Sequence, residues 1–232
     1  MKKLLVYGAA AGALCASGAS LAASFYPPGG SLALYGSYMA QNNSSAGLSP
    51  DGGGGGVQLG VNLTPHVFFS GSYQYDYLYQ NNAPAASIGL GSGSASYGDK
   101  INQGRAGGGL VFRLPMAPID VFGKVEYVHY DYQTVNITLN NGSYGDLDRV
   151  NNDGVGFHAG LQTRLPGVSV YGSVGYLDLS KSNGGEFNVG AMVPLAPFTW
   201  GFVEYRYDNL ANIGAPTRTE TNNVKAGVRL AF

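Results

Sequence analysis

The sequence predicts an all-β chain folded as one closed antiparallel transmembrane β-barrel of ten strands, with eight as the alternative. Three observations carry that prediction. The chain opens on a leader for export. Apolar and polar residues then alternate with a period of two. Short proline-marked breaks take turns with longer polar segments.

The leader reads "MKKLLVYGAAAGALCASGASLAAS": two lysines, an apolar run from Leu4 to about Leu14, then small residues. Ser20-Leu21-Ala22 has the small-x-small form of a cleavage site, so residues 1–22 are read as a signal peptide and 23–232 as the barrel. The run is too short and too rich in Gly and Ala for a membrane helix. Cys15 does not mark a lipoprotein, because Leu14 stands where that cleavage wants a small residue. Without residues 1–22 the chain has no cysteine, and therefore no disulfide or thiol chemistry.

The length of 232 residues suits one domain, or at most two. Hydrophobic residues make up 44% and charged residues 12%, about half the usual charged share, so a soluble surface would be hard to keep wet. The mature chain carries 11 basic and 14 acidic residues, which argues against nucleic acid as a partner. No later stretch approaches the roughly 20 apolar residues of a membrane helix. An exported chain this apolar must hide its surface in another way.

Alternation supplies it. "GVQLGVNL" sets Val57, Leu59, Val61 and Leu63 against Gln58, Gly60 and Asn62; "VGFHAGLQTRL" and "NVKAGVRLAF" repeat the pattern. Breaks at Thr64–His66, Leu114–Ile119, Leu165–Gly167 and Pro194–Phe198 read as short turns. Polar segments near 41–53, 78–102, 133–152, 181–185 and 208–222 read as solvated loops. Ten strands follow, near 31–40, 54–64, 67–77, 103–113, 120–132, 153–164, 168–180, 186–194, 198–207 and 223–232. The hairpin holding Gly52–Gly56 carries the weakest pattern of the set. Each strand is long enough to cross a bilayer at a tilt. Short turns at one end and long loops at the other place the barrel in the outer membrane of a Gram-negative cell, loops outward.

Tyr73, Tyr75, Tyr77, Tyr127, Tyr176, Tyr205 and Tyr207 fall on the apolar register near the loop ends, and Phe69, Phe112, Phe198, Trp200 and Phe232 near the turns. Two aromatic belts suit two membrane interfaces. Phe198 and Trp200 do not clearly follow the lipid-facing register and are read as capping the periplasmic mouth. The closing strand must pair with the first, since an open edge in lipid leaves N–H and C=O groups unpaired. Its end, "KAGVRLAF", resembles the assembly signal of outer-membrane barrels, with Lys225, Gly227, Leu230 and Phe232 in the matching places. That resemblance implies the barrel-assembly machinery and periplasmic chaperones as partners.

"WGFVEYRYDNL" followed by "TNNVKAGVRLAF" resembles the last hairpin of small OmpA-like, porin-family outer-membrane barrels, and "GKVEYVHYDY" repeats the theme. The likeness covers roughly the final quarter of the chain. Such relatives mostly have eight strands. The resemblance implies an envelope-structural, adhesive or narrow-channel role.

The polar register holds Arg105, Arg113, Lys124, Glu126, Arg164, Glu186, Glu204, Arg206, Lys225 and Arg229, which a barrel turns toward its lumen. Two readings stand: a salt-bridged plug, or a charged constriction whose excess of bases favours anions. The three histidines give no convincing catalytic set. His129 shares a face with Asp131, but a second acidic pair would have to converge there, with Asp146 and Asp148 the only candidates. Asp146, Asp148 and Asp153 lack the spaced Glu of a calcium loop, and the Gly52–Gly56 run lacks a following helix, so both read as solvated loop. No enzyme activity, metal or cofactor is expected. The expected role is envelope-structural or surface-adhesive through the outer loops, which would contact a surface ligand. The expected surroundings are outer-membrane lipid and lipopolysaccharide. The alternative is a narrow, weakly anion-preferring porin-like channel.

Overall fold

A computed structural model describes residues 29–43, 47–84, 93–115, 117–139, 142–143, 149–212 and 218–232. The expected signal peptide lies outside these residues, as do Asp146 and Asp148. The chain forms ten long strands: β1 (Gly30–Asn42), β2 (Asp51–Asn62), β3 (Val67–Pro84), β4 (Ser94–Arg113), β5 (Ile119–Leu139), β6 (Arg149–Leu165), β7 (Val168–Leu179), β8 (Ser182–Ala196), β9 (Thr199–Asn212) and β10 (Arg218–Ala231). A two-residue strand, Gly142–Ser143, pairs with the end of β5.

Each strand pairs antiparallel with the next, and β10 pairs with β1 from Ser31↔Ala231 to Asn42↔Glu220. The barrel is therefore closed and ten-stranded. At the seam Gly30 N donates to Phe232 O (2.8 Å) and Phe232 N donates to Gly30 O (3.0 Å). The Phe232 ring lies over Gly30, where a Cβ would come within 2.5 Å of it.

Strand period dictates the two faces. Leu34, Leu59, Phe69, Leu110, Phe112, Val125, Phe157, Leu161, Val174, Val203 and Val228 are exposed on the outside. An apolar outer wall is what lipid contact requires. Tyr73, Tyr75, Tyr127 and Tyr176 share it toward the loop ends. Trp200 faces inward and is buried near the turn end, while Phe198 is exposed in the Pro197-Phe198 turn with φ of +60°.

The four short connections, 63–66, 114–118, 166–167 and 197–198, lie at one end. At the other end the sequence reading needs correction. Residues 78–102 and 133–152 are not simply loops, because β3, β4 and β5 continue as paired strands to Pro84, from Ser94 and to Leu139. Their Asn, Ser and Gly composition hides continued apolar alternation: Leu78, Ala83, Ala95, Tyr97, Ile101, Val135 and Ile137 are all buried. The expected loop at 181–185 reduces to Ser180 and Lys181, and β8 starts at Ser182.

The Gly52–Gly56 run is strand, not flexible loop. It pairs with β1 on one side (Gly52↔Met39) and β3 on the other (Gly52↔Leu78). Inward-facing glycines leave room for large neighbours: a Cβ at Gly56 would lie 2.6 Å from the Tyr35 hydroxyl, and one at Gly54 2.7 Å from Asp76 Oδ1.

Candidate functional site

The interior is stacked in three tiers. Nearest the turns, Ala33, Tyr35, Tyr171, Met192 and Phe202 form one apolar cluster, and Phe68 and Phe122 with Val111 another. Nearest the loops, Val128, Tyr130, Leu177, Leu179 and Leu210 join Met39, Leu78 and Ile101 through Tyr132. Ala83, Tyr97 and Ile137 extend this packing outward. Between the apolar tiers lies a charged one.

Arg105 is its hub. Nη1 donates to Glu126 Oε1 (2.9 Å), Nη2 donates to the Tyr130 hydroxyl (2.9 Å), and Nη2 lies 2.6 Å from Glu186 Oε2. Lys124 Nζ donates to the other Glu126 oxygen (2.7 Å), and His158 bridges Glu126 and Glu186 at 3.0 and 3.6 Å. A second knot joins Lys225 to Glu204 (3.1 Å), with the Tyr171 hydroxyl donating to Glu204 (2.7 Å). Arg206 links the two halves: Nη2 donates to Gln103 Oε1 (2.5 Å), and Nε lies 3.5 Å from Asp208. Arg229 donates to Gln58 Oε1 (3.0 Å), and its guanidinium stacks on Phe202.

Eight of the ten sequence-read residues thus lie in this tier. Arg113 and Arg164 do not: both pair with Asp120 at the turn-end mouth, and the Arg113 side chain is 66% exposed. The sequence reading missed Asp76, Asp120 and Asp208, all buried. The signal was present, since Asp76 and Asp208 continue the polar registers of Gln74 and of Glu204 and Arg206. With these three and Asp99, which shares the inward register of Ile101 and Gln103, the inward acids among the described residues number seven against seven bases, so the excess of bases behind an anion preference disappears.

Burying charge is costly unless each group is paired, and interlocking pairs across strands meet that demand. The space left in this tier is about 60 Å³, lined by Lys124, Glu126, Ser173, Lys225 and neighbours. It admits a few water molecules. Glu126, His158 and Glu186 bring ligand-type atoms within 4.8 Å of one another. Arg105 and Lys124 already supply the positive charge a metal ion would bring, so the trio is a salt-bridge knot.

On the outer face, His129 and Asp131 do not pair with each other. His129 Nδ1 lies 2.5 Å from Asp153 Oδ1, which also accepts from the Tyr127 hydroxyl (2.7 Å). Asp131 is taken by Arg149 and by Asn102 Nδ2 (3.2 Å). The hydrogen bonds from Arg149 hold the Asp131 carboxyl below the usual carboxylate range and raise Arg149 in turn.

No family model matches the chain, and no curated protein matches it. Among solved structures, the β domain of the Bordetella autotransporter BrkA aligns with 15% identity over 88% of this chain and 100% of that one, at a TM-score of 0.53. Neisserial surface protein A aligns with 13% identity over 88% and 97%, at 0.41. The outer-membrane protease OmpT of Escherichia coli aligns with 9% identity over 88% and 96%, at 0.46. At these identities the likeness concerns the fold alone, and that fold is the closed antiparallel β-barrel of outer-membrane proteins.

Proposed function

We propose that the protein is an outer-membrane barrel of a Gram-negative envelope with a closed interior, whose role is structural or adhesive. Its working surface is the part of the wall that rises above the membrane. The observation that carries this reading is the three-tier interior, in which the Arg105 knot lies between two apolar layers. A charged layer alone could pass ions. A charged layer flanked by Phe68, Phe122 and Tyr171 on one side and Leu78, Val128 and Leu177 on the other, with about 60 Å³ left within it, supports a lumen closed to ions. The climb of β3, β4 and β5 adds a rigid paired platform where a loop-borne contact was expected, and rigid platforms hold contact residues with little ordering cost.

Insertion would run through the barrel-assembly machinery and periplasmic chaperones, with Lys225, Gly227, Leu230 and Phe232 as the recognised segment. The test of the closed interior is single-channel recording in planar bilayers. The expected record is flat for the unmodified protein, with openings appearing in Arg105→Ala. Steady anion-preferring conductance of the unmodified protein would support the porin-like alternative and overturn this reading.

A further inference from the structure

Just beyond the lipid-facing band, the outward side of β4, β5 and β6 is unlike the rest of the wall. Register places Tyr75, Asn102, Asp131 and Asn151 in one cross-strand row, and Tyr77, Lys100, Gln133 and Arg149 in the next row outward. Asp131 belongs to the outward face, yet it is only 2% exposed, because Arg149 covers it. Arg149 Nε donates to one carboxylate oxygen (2.5 Å) and Nη2 to the other. The Arg149 side chain itself is 64% exposed.

A guanidinium has five N–H donors in a fixed plane. Asp131 engages one edge and leaves the others turned outward, in an orientation already set before any ligand arrives. Lys100 stands in the same row on the far side of Gln133, about 10 Å away by strand spacing. Asp131 balances one of the two positive charges and leaves the other, and the remaining described acids lower on this face do not offset it. Asp153 is engaged by His129 and Tyr127, and Asp178 lies further down, level with Tyr127. Tyr75 and Tyr77 flank the row on β3.

We propose that Lys100 and Arg149 form a binding site for the phosphate of an outer-leaflet glycolipid headgroup, with Tyr75 and Tyr77 against the adjoining sugar. A bidentate-capable fork beside a point charge suits a phosphate, whose oxygens accept from several directions. Height suits it too. The row sits directly above the tyrosines, the level at which amphipathic rings meet headgroups. The inference rests on the membrane-embedded, loops-outward reading given above.

The test uses purified protein in micelles and native mass spectrometry. Retention of a phosphorylated glycolipid is compared with retention of its dephosphorylated form, with inorganic phosphate as competitor. Arg149→Gln combined with Asp131→Asn and Lys100→Gln avoids stranding a buried carboxylate, and should cut retention about tenfold, the loss of two charge-assisted contacts. Lys100→Gln alone should cut it about threefold, and it remains decisive if the triple variant does not fold. Heat-shifted gel migration reports the barrel separately, so its loss would count against the membrane reading. Equal retention of the two lipid forms, or unchanged retention by the variants of a folded barrel, would overturn the site.

Discussion

The hydroxyl of Tyr35 occupies the space that a β-carbon on Gly56 would need, at 2.6 Å from that atom's ideal position. Tyr35 also stacks edge-on against Phe202, with centroids 6.1 Å apart. One glycine on β2 thus admits an aromatic from β1 to the turn-end apolar tier. Gly56→Ala should destabilise the barrel by about 1–3 kcal/mol through overpacking. Gly71 faces outward, with its nearest neighbouring atom 3.7 Å from an added Cβ, so Gly71→Ala should be neutral or slightly stabilising. Urea unfolding midpoints in micelles check both.

Arg105 neutralises two buried carboxylates at once. Arg105→Met should cost about 3–5 kcal/mol, since it strands Glu126 and Glu186 without their main partner. Adding Glu126→Gln and Glu186→Gln should recover much of that loss. A triple variant no more stable than the single one would mean that the knot contributes by packing and not by charge balance.

The sole tryptophan tests the inward turn of β9. Trp200 is 7% exposed and faces the interior. Its emission should be blue-shifted and only weakly quenched by brominated acyl chains in reconstituted vesicles. Strong quenching from the lipid phase would place the ring outside.

Acid should act on two aspartates with opposite sign. Asp131 is held low by Arg149, so its stabilisation is full above the unfolded pKa of about 3.9 and is lost as pH falls through the lower folded value. Burial pushes Asp99 up, despite the Thr134 hydroxyl donating to it at 2.6 Å. Its ionised form therefore costs stability at neutral pH, and the cost is relieved as pH falls through its raised folded value. Asp131→Asn should lower the unfolding midpoint at pH 7, with a difference that shrinks below about pH 4. Asp99→Asn should raise the midpoint at pH 7.

Cysteines placed at Pro65, Pro118, Pro166 and Pro197 should all label from one side of the membrane, because the four short turns share one end of the barrel. Surface labelling of any one in intact cells would break the topology.

The strand count and the alternation of faces were legible because lipid outside and charge inside give each strand a period of two, as at Val57–Leu63 and Val155–Leu161. The turn ends were legible because proline punctuates them. The outer ends were not. Ser94–Gly98 has loop composition, yet Ala95 and Tyr97 carry apolar alternation into the upper tier, and the half-buried Ser96 between them donates to Asn81 on the neighbouring strand. The Gly52–Gly56 run misled for a related reason, since its strand character comes from Tyr35 and Asp76 on neighbouring strands and not from its own side chains. Charged residues inside could be named from alternation alone. That Arg105 meets Glu186, four strands away, depends on closure, which local pattern does not encode.

The seam between β1 and β10 sets the order of events during assembly. Ser31 and Ala231 are neighbours in the sheet although two hundred residues separate them along the chain. Joining such distant segments adds little to the final entropy cost, since that cost grows only with the logarithm of the loop. It does govern timing. Local hairpins such as β6–β7, joined by two residues, can form in any order, whereas the last ladder must wait until both ends of the chain have been delivered. Until then two ribbon edges stand open, each presenting a row of unpaired N–H and C=O groups.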